Sequence, residues 1–443
     1  MYTEWQNVPD CSTAGRIADN INSLPALYDA LTSRPVTHRK REDMTRTLQP
    51  ATETDSPFLL DRLLIVPKAY YFLHFGAMAC VAPFLVLYYR EVGLSGTQIG
   101  LLTGLAPIVT WLAAPLWGAL ADARQRHRAM LLTAITGAII TVLILARTTS
   151  LLWLVPVVAA YAFFGAPIIP LVDNSVMSLL GARGDRYGRQ RMWGAVGWGL
   201  TGAVAGVVVE RYGLPAGFGG YALLMGIGLF VASRLQVRGG QLGQPFWLGL
   251  RTLIRNRPLV VFLLTVFVAG MGTSLVHSYL FLYLRDMGAS ETLMGLSLTV
   301  ATVSEVPVFF VSGWLIKRLG ARGLMMVSLA TLVVRLAAYS VMPWAWMVLP
   351  IHLLHGLTFS AMWVAGVSYA NEVAPPGLGA TAQGLFSGMA MGLGAAAGAL
   401  LGGLLYDSLG GAQMYLIGAG WVAVGLVMFL VAGRRQASEC VPS

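Results

Sequence analysis

The stretch PLVDNSVMSLLGARGDRYGRQRMWGAVGW, residues 170–198, places an acid, a base and an indole in an otherwise apolar neighbourhood. Asp173 interrupts one apolar run, Arg191 enters the next eighteen positions later, and Trp198 follows Arg191 by seven. If the two runs are antiparallel helices joined by the short loop between them, Asp173 lies about two turns before the loop and Arg191 about one turn after it. At matching depth the charges can neutralise each other, and Trp198, nearly two turns beyond Arg191, shares its helix face. An indole stacks on the apolar face of a sugar or on an aromatic ring, while an ion pair hydrogen-bonds hydroxyls or a carboxylate. Two plainer readings stand beside this one: a structural clasp between helices for the pair, and a packing role for Trp198.

Glu305, Arg335 and four histidines, His74, His277, His352 and His355, share that apolar setting. A charge at the middle of a membrane helix costs roughly 2.5–3.5 kcal/mol on insertion scales, so such groups face a bundle interior or a wet cavity. A carboxylate held there can take a proton from water and give it back. Glu305 is the candidate, with His355 or His277 as relays near neutral pH and Arg335 driving the proton off. A static Glu305–Arg335 pair is the plainer alternative, and His74 and His277 read more simply as satisfied interior histidines. His352 and His355 are three apart, but neither a third ligand nor a general-base glutamate accompanies them, so no metal is expected. No nucleophile–base pair or phosphate-cradling loop is visible either, which argues against an enzyme and implies neither catalytic residues nor a cofactor.

The elements that must position these groups follow from composition. The chain is 56% hydrophobic and 11% charged, well below the roughly 25% charge of soluble domains. Apolar stretches of eighteen or more residues recur, each long enough to cross about 30 Å of hydrocarbon as a helix. Twelve spans are expected, near 67–90, 94–120, 129–149, 150–180, 187–210, 213–234, 258–285, 290–317, 322–342, 344–373, 378–405 and 411–433. Lys and Arg crowd alternate loops: Arg124, Arg126 and Arg128; Arg183, Arg186, Arg189 and Arg191; Arg234, Arg238, Arg251, Arg255 and Arg257; Lys317, Arg318 and Arg322. The opposite loops hold only Arg90, Arg147, Arg211 and Arg285. Basic loops stay in the cytoplasm, which puts both termini there and accounts for the net charge of +10 without nucleic acid. Cys11, Cys80 and Cys440 are too scattered for a disulfide framework. Residues 1–66 are expected to be a disordered cytoplasmic tail without a signal peptide, Met44 being an alternative start.

An internal repeat sets the architecture. REVGLSGTQIGLL from Arg90 returns as RDMGASETLMGLS from Arg285, and GALADARQRHR from Gly118 returns as GWLIKRLGARG from Gly313, both 195 residues on. Two six-helix bundles of the same orientation, 67–234 and 258–433, are therefore expected to frame a central site reached alternately from each side. A linker, 235–257, joins them; within it FWLGLRTLIRN alternates apolar and basic faces, as an interfacial helix does. Residues 434–443 form a cytoplasmic tail. Glycines at 384, 388 and 392, then 394, 398 and 402, have the spacing that lets helices approach closely.

The GALADARQRHR segment resembles the signature loop of the major facilitator superfamily, in which the acid, here Asp122, latches onto a neighbouring helix end. The resemblance implies conformational gating by Gly118, Asp122, Arg126 and Gly313. Where the signature has a glycine this chain has Gln125, and the second copy has Lys317 in place of the acid. YGRQRMWGAVGW is similar to the corresponding stretch of that superfamily's lactose–proton symporter and phenylpropionate-transporter-like group. That likeness implies substrate binding by Asp173, Arg191, Trp198, Arg335 and His355, with His355 and Arg335 also linked to protonation. The symporter's proton-carrying glutamate is replaced by Thr358, a lysine by His352, and its glutamate partner of Arg191 by the shorter Asp173. SEVPVFF, 304–310, and HGLTFS, 355–360, look instead like the phenylpropionate group. The expectation is an all-α, monomeric major facilitator transporter of the cell membrane that moves a sugar or aromatic acid-like solute with protons by alternating access. An uncoupled facilitator or exchanger, and a transporter-derived sensor, remain as alternatives.

Overall fold

The computed structural model describes residues 57–181, 186–235, 253, 255–375 and 378–439, and among them the chain is helical, with no strand. The membrane-length helices are α1 (Leu64–Glu91), α2 (Gly96–Ala121), α3 (His127–Leu145), α4 (Leu151–Leu180), α5 (Tyr187–Tyr212), α6 (Leu214–Ala232) and α7 (Arg257–Asp286). A 50-residue helix, Glu291–Ser340, follows, broken by non-helical backbone at Gly320, and so is two spans, α8 (291–319) and α9 (321–340). The bent pair Ala345–His352 and His355–Val373 is α10, followed by α11 (Thr381–Leu409) and α12 (Gly411–Ala432). Counted this way the described residues supply the twelve spans expected, within a few residues of the expected ends. The helical backbone also reaches beyond those ends, starting at Pro57 rather than 67 and running on to Glu439 rather than 433. The remainder of the expected N-terminal tail and most of the linker helix lie outside the described residues.

Local chemistry explains the breaks. Gly213 and Gly410 end α5 and α11 with φ of 81° and 83°, a left-handed turn that only glycine adopts at no steric cost. The 195-residue repeat is written into the same backbone class: Gly93 and Gly288 have φ of 87° and 78°. Gln125 and Gly320 are equivalent positions too, with φ of 50° and 67°. The loop after α2 therefore shares the positive φ of its counterpart although glutamine occupies it.

The halves meet mainly through α2 against α11, α5 against α8, and α7 against the end of α1. Small residues permit the approach. A Cβ on Gly206 of α5 would lie 2.5 Å from the Glu291 carbonyl oxygen, and one on Gly403 of α11 would lie 2.3 Å from that of Gly96. The glycine spacing on α11 acts in a second direction: at Gly398 a Cβ would meet the Met271 carbonyl oxygen of α7 at 2.4 Å.

Carboxylates lock the end of the molecule formed by the loops after α1, α5, α7 and α11. Asp407, near the end of α11, accepts from the backbone N–H groups of Gly96 and Thr97 at 2.6 and 2.7 Å and from the Thr97 hydroxyl at 2.7 Å. Glu210, near the end of α5, accepts from the Thr292 N–H at 2.9 Å. Thr97 and Thr292 are again 195 apart, so each half caps the first turn of the other's second helix, where unpaired N–H groups and the helix dipole favour an anion. Arg285 ties the same end together through Glu91 at 2.9 Å and Glu291 at 2.5 Å.

Two measurements test this account. Gly320 has φ 67° and ψ 167°, a region open essentially to glycine alone, so Gly320→Ala should lower stability by roughly 1–3 kcal/mol in thermal unfolding. Asp407→Ala combined with Glu210→Ala should release the locked end, lengthening and broadening spin-label distances between the loops after α1 and α11.

Candidate functional site

In the first half the site is built on α1, α4 and α5. The Tyr71 hydroxyl of α1 donates to Oδ1 of Asp173, and Tyr187, at the start of α5, lies beside the same carboxylate. Arg191 is close enough to act on Asp173 electrostatically. The expected ion pair is not formed, however: among the described residues no carboxylate oxygen comes within 4.0 Å of Arg191. Its guanidinium instead lies over the Phe75 ring, 4.0 Å from the centroid, and 5.6 Å from that of Tyr71. Tyrosine hydroxyls have taken the acid's lone pairs and aromatic faces have taken the base. Such cation–π contacts hold a guanidinium while leaving its in-plane N–H donors available. Trp198 is half-buried on the same helix. His74 is buried, stacked on Tyr70 at 5.9 Å and edge-on to Phe75 at 5.1 Å, and its Nδ1 has no hydrogen-bond partner, so it is not the satisfied histidine expected.

In the second half a continuous chain of contacts runs across three helices. Arg335 of α9, only 2% exposed, donates from Nε to the Tyr339 hydroxyl at 3.1 Å. Its other contacts go to the Thr358 hydroxyl at 3.0 Å and to Nδ1 of His355 at 2.8 Å. Nε2 of His355 meets Glu305 of α8 at 3.0 Å. The direct Glu305–Arg335 pair is thus replaced by one with an imidazole between the partners. This order assigns the tautomer. A guanidinium has donors and no acceptor, so Nδ1 of His355 must offer its lone pair and Nε2 must carry the hydrogen that points at Glu305. His352 plays a different part: Nδ1 donates to the Ser297 carbonyl at 2.7 Å, which leaves Nε2 buried without a partner.

The two clusters face one another. Glu305 lies within electrostatic range of Arg191 from the first half as well as Arg335 from its own. His277 is exposed, although residues 274–276 and 278–284 around it are all buried. It is within electrostatic range of Arg335, itself an interior residue, so its ring opens onto an interior space and not onto lipid. The spacing argument missed Tyr71, Phe75 and Tyr187, which hold Asp173 and Arg191 apart, and Thr358, which anchors Arg335. The aromatic run YYFLHF on α1, residues 70–75, was the available signal for the first two.

The signature loop is less engaged. A Cβ on Gly118 or on Gly313 would meet no atom within 4 Å, so neither glycine marks a close contact in this conformation, and Arg126 is exposed. The Asp122 side chain lies outside the described residues. Among the described residues no group of three His, Cys, Asp or Glu side chains is placed to hold a metal ion.

Twelve membrane-length helices in two repeated halves, with ionic side chains in the interior of both, define a membrane transporter of the major facilitator type. The sequence model of the MFS_1 like family matches residues 64–417, and the chain belongs to that family. It is 28% identical to the maltose permease of Geobacillus stearothermophilus over 83% of this chain and 94% of the permease. It is 25% identical to the probable 3-phenylpropionic acid transporter of Escherichia coli (strain K12), over 77% of this chain and 90% of that one. Among solved structures, the nucleoside transporter NupG shares the fold with a TM-score of 0.74 at 19% identity, covering 83% of this chain and 98% of that chain. These relatives are transporters and not enzymes.

Among the described residues the halves pack extensively along the helix pairs named above, which predicts that the interior opens between the arginine-rich loops. With native cysteines replaced, His277→Cys should react with a water-soluble, impermeant thiol reagent applied from the face of those loops. From the locked face it should be protected.

Proposed function

We propose that this protein is a proton-coupled secondary transporter that carries a small organic solute across the cell membrane by alternating access, with both termini in the cytoplasm. The observation that carries the reading is the Arg335–His355–Glu305 chain, with Arg191 facing its carboxylate from the other half. On this reading Glu305 carries the transported proton. For His355 to take a second proton, Nδ1–H would have to face the Arg335 N–H, two donors against each other, so the imidazole is a fixed hydrogen-bond donor and not a relay. Protonating Glu305 removes the negative charge that Arg191 and Arg335 both sense. Solute bound at Arg191 then supplies the acceptor oxygens that Glu305 no longer offers.

The solute class follows from the same groups. A guanidinium with in-plane donors and no carboxylate partner among the described residues suits vicinal hydroxyls or a carboxylate, and Trp198 supplies a plate for a sugar or aromatic ring. Both chemistries occur among the relatives, one named for maltose and another for 3-phenylpropionic acid. Asp173, His355 and Arg335 complete the proposed solute contacts. The two halves, 67–234 and 258–433, are proposed to rock as units about this site, with a single chain sufficient for transport. Asp122, Gly118, Arg126 and Gly313 are proposed to engage when the arginine-loop face closes.

One observation favours a second reading, transport without protons. Where the resembled symporter has its proton-carrying glutamate this chain has Thr358, whose hydroxyl only accepts from Arg335 and donates to the His355 carbonyl at 3.0 Å. Proteoliposomes separate the two. With a panel of sugars, aromatic acids and nucleosides, the native protein should show solute-driven external alkalinisation and uphill accumulation, and Glu305→Gln should abolish both while retaining solute exchange. Glu305→Gln that still accumulates solute with normal proton uptake would falsify the assignment.

A further inference from the structure

Between the two segments of α10 the backbone ladder is interrupted in a specific way. In an unbroken helix the Gly356 N–H would bond to the His352 carbonyl four residues earlier. Here it donates instead to the Ser304 hydroxyl of α8 at 3.0 Å, and that hydroxyl lies 3.2 Å from the His352 carbonyl oxygen. The side chain of one helix has been spliced into the backbone bond of another. Insertion into the ladder is a recognised cause of sharp kinks, and α10 bends by 57° at this point. The regular pattern resumes at once: the Thr358 N–H returns to the Leu354 carbonyl at 3.0 Å and the Phe359 N–H to that of His355 at 2.7 Å.

The splice sits next to the coupling groups on both helices. Ser304 precedes Glu305, and His355 precedes Gly356. There is no slack between them, because a Cβ on Gly356 would lie 2.1 Å from the Ser304 carbonyl oxygen. The ring of His355 is further held parallel to Phe359, at 4° and 5.6 Å. Its reach to Arg335 on one side and Glu305 on the other thus depends on where the bend in α10 puts its backbone.

We propose that Ser304 is a positioning residue for the Glu305–His355 pair: its hydroxyl, inserted between Gly356 N–H and His352 C=O, holds the bend that presents His355 to Glu305. The hinge has a built-in alternative. The hydroxyl has one hydrogen and two acceptors in reach, the Ala301 carbonyl of its own helix at 2.6 Å and the His352 carbonyl at 3.2 Å. If α8 and α10 separate, Ser304 keeps its bond within α8 and the 356→352 bond of α10 can close, with no backbone group left unpaired. Straightening α10 and withdrawing His355 from Glu305 are then one event. This rests on the reading of Glu305 as the proton-carrying group only for its effect on coupling; the geometry of His355 is independent of it.

The test uses two readouts on the full-length protein. Diethylpyrocarbonate labelling of His355, read by peptide mass spectrometry, reports whether its ring nitrogens are held. The pH profile of solute transport in proteoliposomes, for whichever panel solute is carried, reports coupling. Ser304→Ala should label His355 several-fold faster than the native protein and shift the pH profile toward that of Glu305→Gln, with Ser304→Thr restoring both. Ser304→Cys, which keeps the volume and weakens the hydrogen bonds, should fall between and serves if the alanine variant does not accumulate in the membrane. Native labelling rates and a native pH profile in either variant overturn the proposal, as does a defect that threonine does not relieve. Faster labelling together with a Glu305→Gln profile identical to the native one sinks the proton assignment while supporting the positioning role.

Discussion

Arg335 is a donor in every direction, and it is 2% exposed in a helix that crosses hydrocarbon. That single constraint orders the second half of the site. A buried guanidinium must be surrounded by acceptors, and the available ones are a tyrosine hydroxyl, a threonine hydroxyl and an imidazole lone pair. Committing the Nδ1 lone pair of His355 to Arg335 commits its N–H to Glu305. The carboxylate therefore receives a neutral hydrogen bond from its neighbour and its countercharges from farther away, one in each half. The imidazole spacer keeps that acid out of direct contact with the guanidinium.

The first half solves the same problem differently. Asp173 and Arg191 stand at the depth that pairs them, yet tyrosine hydroxyls satisfy the acid and aromatic faces carry the base. Held over the Phe75 and Tyr71 rings, with no carboxylate partner among the described residues, the guanidinium keeps in-plane donors for the proposed solute. The protein thus keeps two cations and two carboxylates near one interior space without letting either cation close on either acid. The proposed solute site calls for that arrangement, because a direct pair would have cancelled the charges before a solute arrived.

At the closed end the chain uses its repeat. Asp407 caps the helix that begins at Gly96, and Glu210 caps the one that begins at Glu291, each reaching from the opposite half. A helix start buried at an interface leaves donors that must be met. Supplying the anion from the other half turns a local requirement into a bond between halves. Glycine pairs at the same end bring the backbones close enough for the short carboxylate side chains to reach.

Residue types and their order determined a good deal of this. Twelve apolar stretches of membrane length are a property of composition, and no tertiary contact is needed to predict helices where lipid offers the backbone no other partners. The 195-residue offset was equally legible, and it extends to the backbone, since Gln125 shares the positive φ of Gly320 in spite of its side chain. So were the ionic groups themselves, because a charge in an apolar run is conspicuous. Which partner each one takes was not. Depth along two helices is fixed by counting residues, but rotation about their axes and the arrival of a third helix are not, and Tyr71 reaches Asp173 across 102 positions. The Ser304 hydroxyl is the sharpest case: nothing in SEVPVFF or HGLTFS says that one inserts into the backbone of the other, because hydrogen bonds between helices are decided only when the bundle packs.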